Sequence, residues 1–121
     1  MNHTAIIEYL KEKPACILDY PFGPDVQVFK VEGKMFALLA KRQGSIYLNL
    51  KCDPLEAVQL RDVFDAVQPG YHMNKKHWNS VLLDSSLPEG EIHRMIDNSY
   101  SLVVKTLTRP VRDSLAARYG I

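Results

Sequence analysis

The sequence predicts an α+β domain with an antiparallel sheet of about five strands, and three observations lead there. Between Val26 and Lys51 the runs VQVFKV, MFALLAK and SIYLNLK are separated by two tight glycine-containing turns, the pattern of an antiparallel meander. Stretches with helical periodicity stand before, directly after and well beyond that meander. No repeat, linker or low-complexity segment divides the chain, and 121 residues with 46% apolar content suffice for one core, within the usual domain size of roughly 100 to 150 residues. We read residues 1–121 as a single domain, with its core over 26–107 and a C-terminal tail over 108–121.

The first helix is expected near residues 3 to 13, where Ile6, Ile7 and Leu10 share a face and Pro14 ends the run. Residues 14 to 25 carry three prolines and Gly23 around the motif DYPFGPD and read as a loop. Three strands follow, turning at Glu32-Gly33-Lys34 and at Arg42-Gln43-Gly44. In the third, Ile46, Leu48 and Leu50 alternate with Tyr47, Asn49 and Lys51, so one face is expected to be buried and the other solvated.

Asp53-Pro54-Leu55-Glu56 has the form of a helix start: an Asp cap, Pro at the first helical position and Glu three residues after the cap. Leu60, Val63, Phe64 and Val67 then fall at helical spacing, which predicts a helix over 54 to 67, ending before Pro69. GYHMN and HWNSVLL read as two further strands, with Asn74-Lys75-Lys76 turning between them and Asn tolerating positive φ. Ser86-Leu87-Pro88-Glu89 offers a second capping box, and Ile92, Met95, Ile96, Ser99 and Val103 continue it as an amphipathic helix over 88 to 107. Arg109-Pro110 breaks the chain, and Val111 to Arg118 forms one more helical piece.

Fifteen Lys and Arg against fourteen Asp and Glu leave a formal charge of +1, which is no global signature of a nucleic-acid or membrane binder. The distribution is uneven. Segments 26 to 52 and 70 to 82 hold Lys30, Lys34, Lys41, Arg42, Lys51, Lys75 and Lys76 against Glu32 alone, whereas the 53 to 67 segment holds Asp53, Glu56, Asp62 and Asp65 against Arg61. A cationic sheet beside an acidic helix suits phosphate contacts, which depend on local charge. Lysines at turns and strand edges also keep edges from pairing, so solubility explains Lys34, Lys41 and Arg42 equally well.

The stretch PGYHMNKKHWNSV, residues 69 to 81, gathers His72, His77, Lys75, Lys76, Asn74 and the only tryptophan. Trp78 is expected to be structural, as is Tyr100, since a half-buried indole usually finds a partner for its N–H. His72 and His77 are five apart without a neighbouring cysteine, which is not a zinc spacing, and no metal or cofactor is expected. His77 beside two lysines in a turn would be solvated and available to a phosphate. Cys16 and Cys52 have no C-x-x-C spacing and read as reduced thiols. The first residues lack a basic-then-apolar leader, and no apolar run approaches the roughly 18 residues of a membrane span, so the expectation is a soluble, cytoplasmic protein with no membrane partner.

PGYHMNKKHWNSV, preceded by FKVEGKMFALL within a strand meander and followed by DNSYSLVVKTL, resembles the YjbR-like (MmcQ/YjbR) family of small bacterial proteins, over roughly Val26 to Leu107. The resemblance implies a frataxin-like (CyaY-like) fold, an antiparallel sheet with helices packed on one side. It also implies a "double wing" arrangement in which a concave sheet face and strand ribbons meet duplex DNA. The iron role associated with frataxin-like folds does not carry over, because the first helix offers only Glu8 and Glu12.

The leading expectation is a DNA-binding protein, with Lys30, Lys41, Arg42, Lys51, Lys75, Lys76 and His77 on phosphates, Asn74 in the cationic turn, and Tyr47 and Asn49 reaching sugar or base edges. The alternative is a protein-interaction module that uses the open sheet face or the tail RPVRDSLAARYGI. The two differ in what accompanies the lysines: DNA requires them on one face, and a protein interface requires an exposed apolar patch beside them. No nucleophile-and-base spacing, phosphate-cradling glycine loop or paired-carboxylate motif appears, so no catalytic residue is assigned and the chain is not expected to be an enzyme. The oligomeric state is not legible.

Overall fold

The structure, a computed structural model, describes residues 3–71 and 73–120. Ten elements follow in order: α1 (His3–Lys11), β1 (Cys16–Asp19), β2 (Val26–Val31), β3 (Lys34–Arg42), β4 (Ser45–Lys51), α2 (Pro54–Val63), β5 (Val67–Pro69), β6 (Trp78–Leu82), α3 (Glu89–Lys105) and α4 (Arg109–Tyr119). The strands form one antiparallel sheet in the order β1-β2-β3-β4-β6-β5. The α+β class and the antiparallel sheet are as the sequence predicts, with six strands in place of about five.

Two-residue turns set the meander. Glu32-Gly33 and Gln43-Gly44 all take positive φ, at 49°, 79°, 51° and 82°, which is the conformation whose twist matches a tight hairpin. Glycine supplies the second position of each at no steric cost.

Helices pack on one face of this sheet. Phe29, Phe36, Leu48, Leu50 and Val81 from the strands join Ile6, Leu10, Ala57, Ile96 and Leu115 from the four helices in a single buried cluster. At about 25 cal/mol per Å² of apolar surface removed from water, this shared core is the main term holding the layers together. Leu115 is fully buried, which ties the C-terminal segment into it. Tyr100 is buried too: it meets Phe36 edge-on at 5.2 Å, and its hydroxyl donates to the Pro14 carbonyl at 2.7 Å.

A bulge in β3 decides what the opposite face presents. Phe29 pairs with Ala37 and Lys30 with Met35, so Phe36 is an extra residue on its strand. Phe36 and Ala37 therefore both enter the helix-side core, and Met35 is switched to the open side with Leu38 and Ala40. Ser99 of α3 repairs the backbone there: its hydroxyl donates to the Phe36 carbonyl at 2.6 Å and accepts from the Lys51 N–H at 2.9 Å.

Five expectations about elements are corrected. The 14 to 25 loop contains β1, a four-residue strand that exists because β2 offers it an edge. The α2 helix stops at Val63, with Phe64 extended (φ −121°, ψ 118°), because Val67 is buried by pairing with Val81 in the sheet and not by a helical stripe; Val63 is 70% exposed. The strand expected at 70 to 74 lies instead at 67 to 69, and residues 70–77 connect β5 to β6. Ser86 does not cap α3: its N–H binds the Asp84 carboxylate, and α3 begins at Glu89 with Pro88 as an N-cap that makes no side-chain bond. Pro110 sits in the first turn of α4, and the chain breaks before it, at Thr106 to Thr108. The Asp53 cap is as expected, its carboxylate accepting from the N–H groups of Leu55 and Glu56.

Candidate functional site

The face of the sheet away from the helices holds a concavity of about 550 Å³. Cross-strand register explains its floor. Val28, Leu38, Asn49, Ser80 and Gln68 form one row across five strands, and Val26, Ala40, Tyr47 and Leu82 form the next. Its walls are mainly aliphatic and thioether groups, from Val26, Met35, Leu38, Ala40 and Met73, and Phe22 and Tyr71 stand at the rim, 69% and 48% exposed.

The polar floor is already satisfied. Asn49 is 5% exposed; its Oδ1 accepts from the Ser80 hydroxyl, and its amide donates to the Leu38 carbonyl at 3.4 Å. Ser80 in turn accepts from the Tyr71 N–H at 3.0 Å, which fixes the chain where it leaves β5. The expectation that the Asn49 face of β4 is solvated is therefore corrected: the bulge and the 20–25 loop enclose it.

Arg42 is the charged group of the concavity. Its guanidinium lies between two rings, 4.2 Å from the Tyr47 centroid and 4.1 Å from that of Tyr71, and donates to Gln68 Oε1 at 3.3 Å. Two cation–π contacts restrict its orientation and leave its N–H groups as its binding surface. Lys41 is exposed at the same rim.

The remaining cations lie elsewhere. Lys51 follows Tyr47 by four residues on the same side of β4, about 13 Å along the strand, and pairs with Trp78 at the start of β6. Next to it is the 74–77 turn, pinned to the end of β4 by the Cys52 N–H on the His77 carbonyl at 2.7 Å. Asn74 does not take positive φ there; it holds the turn by accepting the Lys76 N–H on its side chain and the His77 and Trp78 N–H groups on its carbonyl. Lys75 donates to the Gly70 carbonyl, its own carbonyl takes a bond from Arg61, and Lys76 is exposed. His77 and Trp78 are half-buried. Lys30 is on the open side of β2, where its bond to Asp19 at 3.0 Å holds that carboxyl below the usual range.

The cations expected to act together thus form two groups, Lys41 and Arg42 at one end of β4 and Lys51, Lys75, Lys76 and His77 at the other, with Lys30 apart and paired. Met35, Leu38, Tyr71, Met73, Ser80 and Phe22 were not singled out by sequence reasoning. A signal for part of this existed: MFALLA has no polar face, which marks a strand covered or enclosed on both sides.

Neither thiol is primed for chemistry. Burial pushes Cys16 and Cys52 up to about 11, and Glu56 and Asp53 add to the effect at Cys52. Among the described residues no three His, Cys, Asp or Glu side chains converge as metal ligands, and no helix is long and apolar enough to cross a membrane. His72 lies outside the described residues.

A family model described as YjbR matches residues 11–102. YyaQ of Bacillus subtilis is 47% identical over 84% of this chain and 98% of its own length, and YbdF of Escherichia coli O157:H7 is 39% identical over 90% and 88%. The crystal structure of protein DR2400 of Deinococcus radiodurans superposes with a TM-score of 0.87 at 33% identity, over 95% of this chain and 88% of that one.

Proposed function

The chain belongs to the YjbR family, and we propose that it is a nucleic-acid-binding protein whose open sheet face meets double-stranded DNA. The observation that carries this reading is the segregation of charge by face. Asp19 is the only carboxylate in any of the six strands, and Lys30 neutralises it, whereas Arg42 and Lys51 are on the open side of β3 and β4, Lys41 is exposed beside Arg42, and the turn with Lys75 and Lys76 adjoins the end of β4. The acidic residues Asp53, Glu56, Asp62 and Asp65 belong to the α2 segment on the other side.

The two cationic groups stand at opposite ends of β4, since Arg42 pairs with Ser45 and Lys51 closes the strand, so each end can meet a phosphate of the duplex. Phosphate contacts position without specifying sequence. Asn49 is already bonded within the sheet, so base-edge contact from it is not part of this proposal. No catalytic step is proposed.

A titration of duplex, single-stranded and RNA oligonucleotides at two salt concentrations tests the reading. Duplex binding should weaken steeply with salt, by a slope of about 0.9 per phosphate contact. Lys75→Ala with Lys76→Ala should weaken it equally for all sequences and flatten that slope by up to about 2, with little change in stability. Salt-insensitive binding, or none, would abandon it.

One observation favours a second reading. Phe22 and Tyr71 are exposed beside an apolar concavity, the accompaniment expected of a protein interface. Binding of a protein partner that survives the double lysine variant but not Phe22→Ala would support that reading over DNA.

A further inference from the structure

We propose that the concavity is a binding site for a small apolar carboxylate, with Arg42 as the group that takes its head. The inference goes beyond the nucleic-acid reading and stands without it: Arg42 belongs to both, but here its ligand is a small molecule held inside the concavity.

Of the six arginines, Arg42, Arg61 and Arg112 have no carboxylate partner among the described residues, and Arg112 is exposed whereas Arg42 is half-buried. Arg94 pairs with Glu56 and Glu91, Arg118 with Glu32, and Arg109 with Asp113. Arg61 is occupied by three oxygens, Asn79 Oδ1 and the Lys75 and Trp78 carbonyls. Arg42 is half-buried yet has one neutral oxygen, from Gln68, and no carboxylate partner among the described residues. A guanidinium has five donors in a planar fork that matches a carboxylate bidentately. Tyr47 and Tyr71 both pack against it, at 4.2 and 4.1 Å, which restricts its orientation, and one neutral oxygen leaves most of its donors for a ligand.

The rest of the lining selects the body of the ligand. No carboxylate is among the described lining residues, so an anion meets no repulsion there. The volume of about 550 Å³ falls within the roughly 300 to 1,000 Å³ of small-molecule sites. Asn49 and Ser80 are bonded to each other and to backbone, and no buried side-chain polar atom among the described residues is left without a partner. A sugar or a base edge would find no unpaired group at this floor. An apolar chain or ring needs none, and its burial against Leu38, Ala40 and Met35 is favourable by area alone.

The test is an NMR titration of the ¹⁵N-labelled full chain, without nucleic acid, using octanoate, 1-octanol and octyl phosphate as probes. Octanoate should shift the amides of Leu38, Ala40, Tyr47 and Ser80 saturably and bind at least about tenfold more tightly than octanol, the scale of a charge-assisted hydrogen bond. Arg42→Gln should bring octanoate to the octanol affinity and leave octanol unchanged. Should that variant lose the Tyr47 and Tyr71 stack and unfold, Ala40→Leu, which fills the concavity from a residue outside the helix-side core, should weaken both probes. No saturable shift at millimolar octanoate, shifts confined to other surfaces, octanol binding as tightly as octanoate, or octyl phosphate binding more tightly than either would overturn the proposal. The nucleic-acid titration is unaffected by any of these outcomes.

Discussion

Ser99→Ala tests how the helical layer is fastened to the sheet. Register makes Ala37 and Leu50 the last paired residues at that end of β3 and β4, so the Phe36 carbonyl and the Lys51 N–H face a gap left by the bulge. The Ser99 hydroxyl fills it, donating to one and accepting from the other, at a residue with no solvent exposure. Alanine would leave both backbone groups unpaired, at about 1 to 3 kcal/mol each, offset by at most about 0.5 kcal/mol of helix propensity. The net expectation is a loss of about 1.5 to 5.5 kcal/mol, a large share of the roughly 5 to 15 kcal/mol of a typical domain. Urea unfolding followed by circular dichroism should show a lower midpoint with an unchanged m value. Hydrogen exchange should show the Lys51 amide losing protection more than its neighbours in β4. A change below about 0.5 kcal/mol with Lys51 still protected would refute the account of the gap, since surface substitutions alone reach that size.

Gly70→Ala would place a Cβ 2.9 Å from both the Cβ and the carbonyl oxygen of Trp78, so β5 and β6 must separate; a loss of about 1 to 3 kcal/mol with altered Trp78 fluorescence is expected, and wild-type unfolding would contradict it. Cys16 and Cys52, both pushed up to about 11 by burial, should be about one part in a thousand thiolate at pH 8, so iodoacetamide should modify them at least about 100-fold more slowly than glutathione. Equal rates would show that the thiols are not shielded. Tyr9 is held up to about 12 by burial first and then by its bond to Asp97. Its folded value exceeds its unfolded one, so its contribution is complete below about pH 10 and lost as pH rises from about 10 to 12. Tyr9→Phe should flatten stability in that window, and an unchanged slope there would count against the raised Tyr9 value.

Local chemistry wrote much of this fold directly into the sequence. The two hairpins of β2, β3 and β4 were legible because Gly33 and Gly44 follow residues that can take positive φ, and a two-residue turn sets the pairing of its own flanks. The start of α2 was legible because Asp53, Pro54 and Glu56 act within one turn, and α3 because its apolar stripe spans seventeen residues. The charge contrast between strands and α2 could be read by counting. Other features depended on partners distant in sequence. The β1 and β5 strands exist because β2 and β6 present them with unpaired edges, and Val67 reads equally as the last residue of a helical stripe until Val81 is beside it. The concavity depends on the bulge at Phe36, which turns Met35 to the open face, and on a connection that brings Tyr71 over Arg42, twenty-nine residues earlier in the chain. Spacing can say which side of its own strand a residue occupies, but which strands are neighbours, and what covers a guanidinium, is decided by non-local packing of the whole sheet.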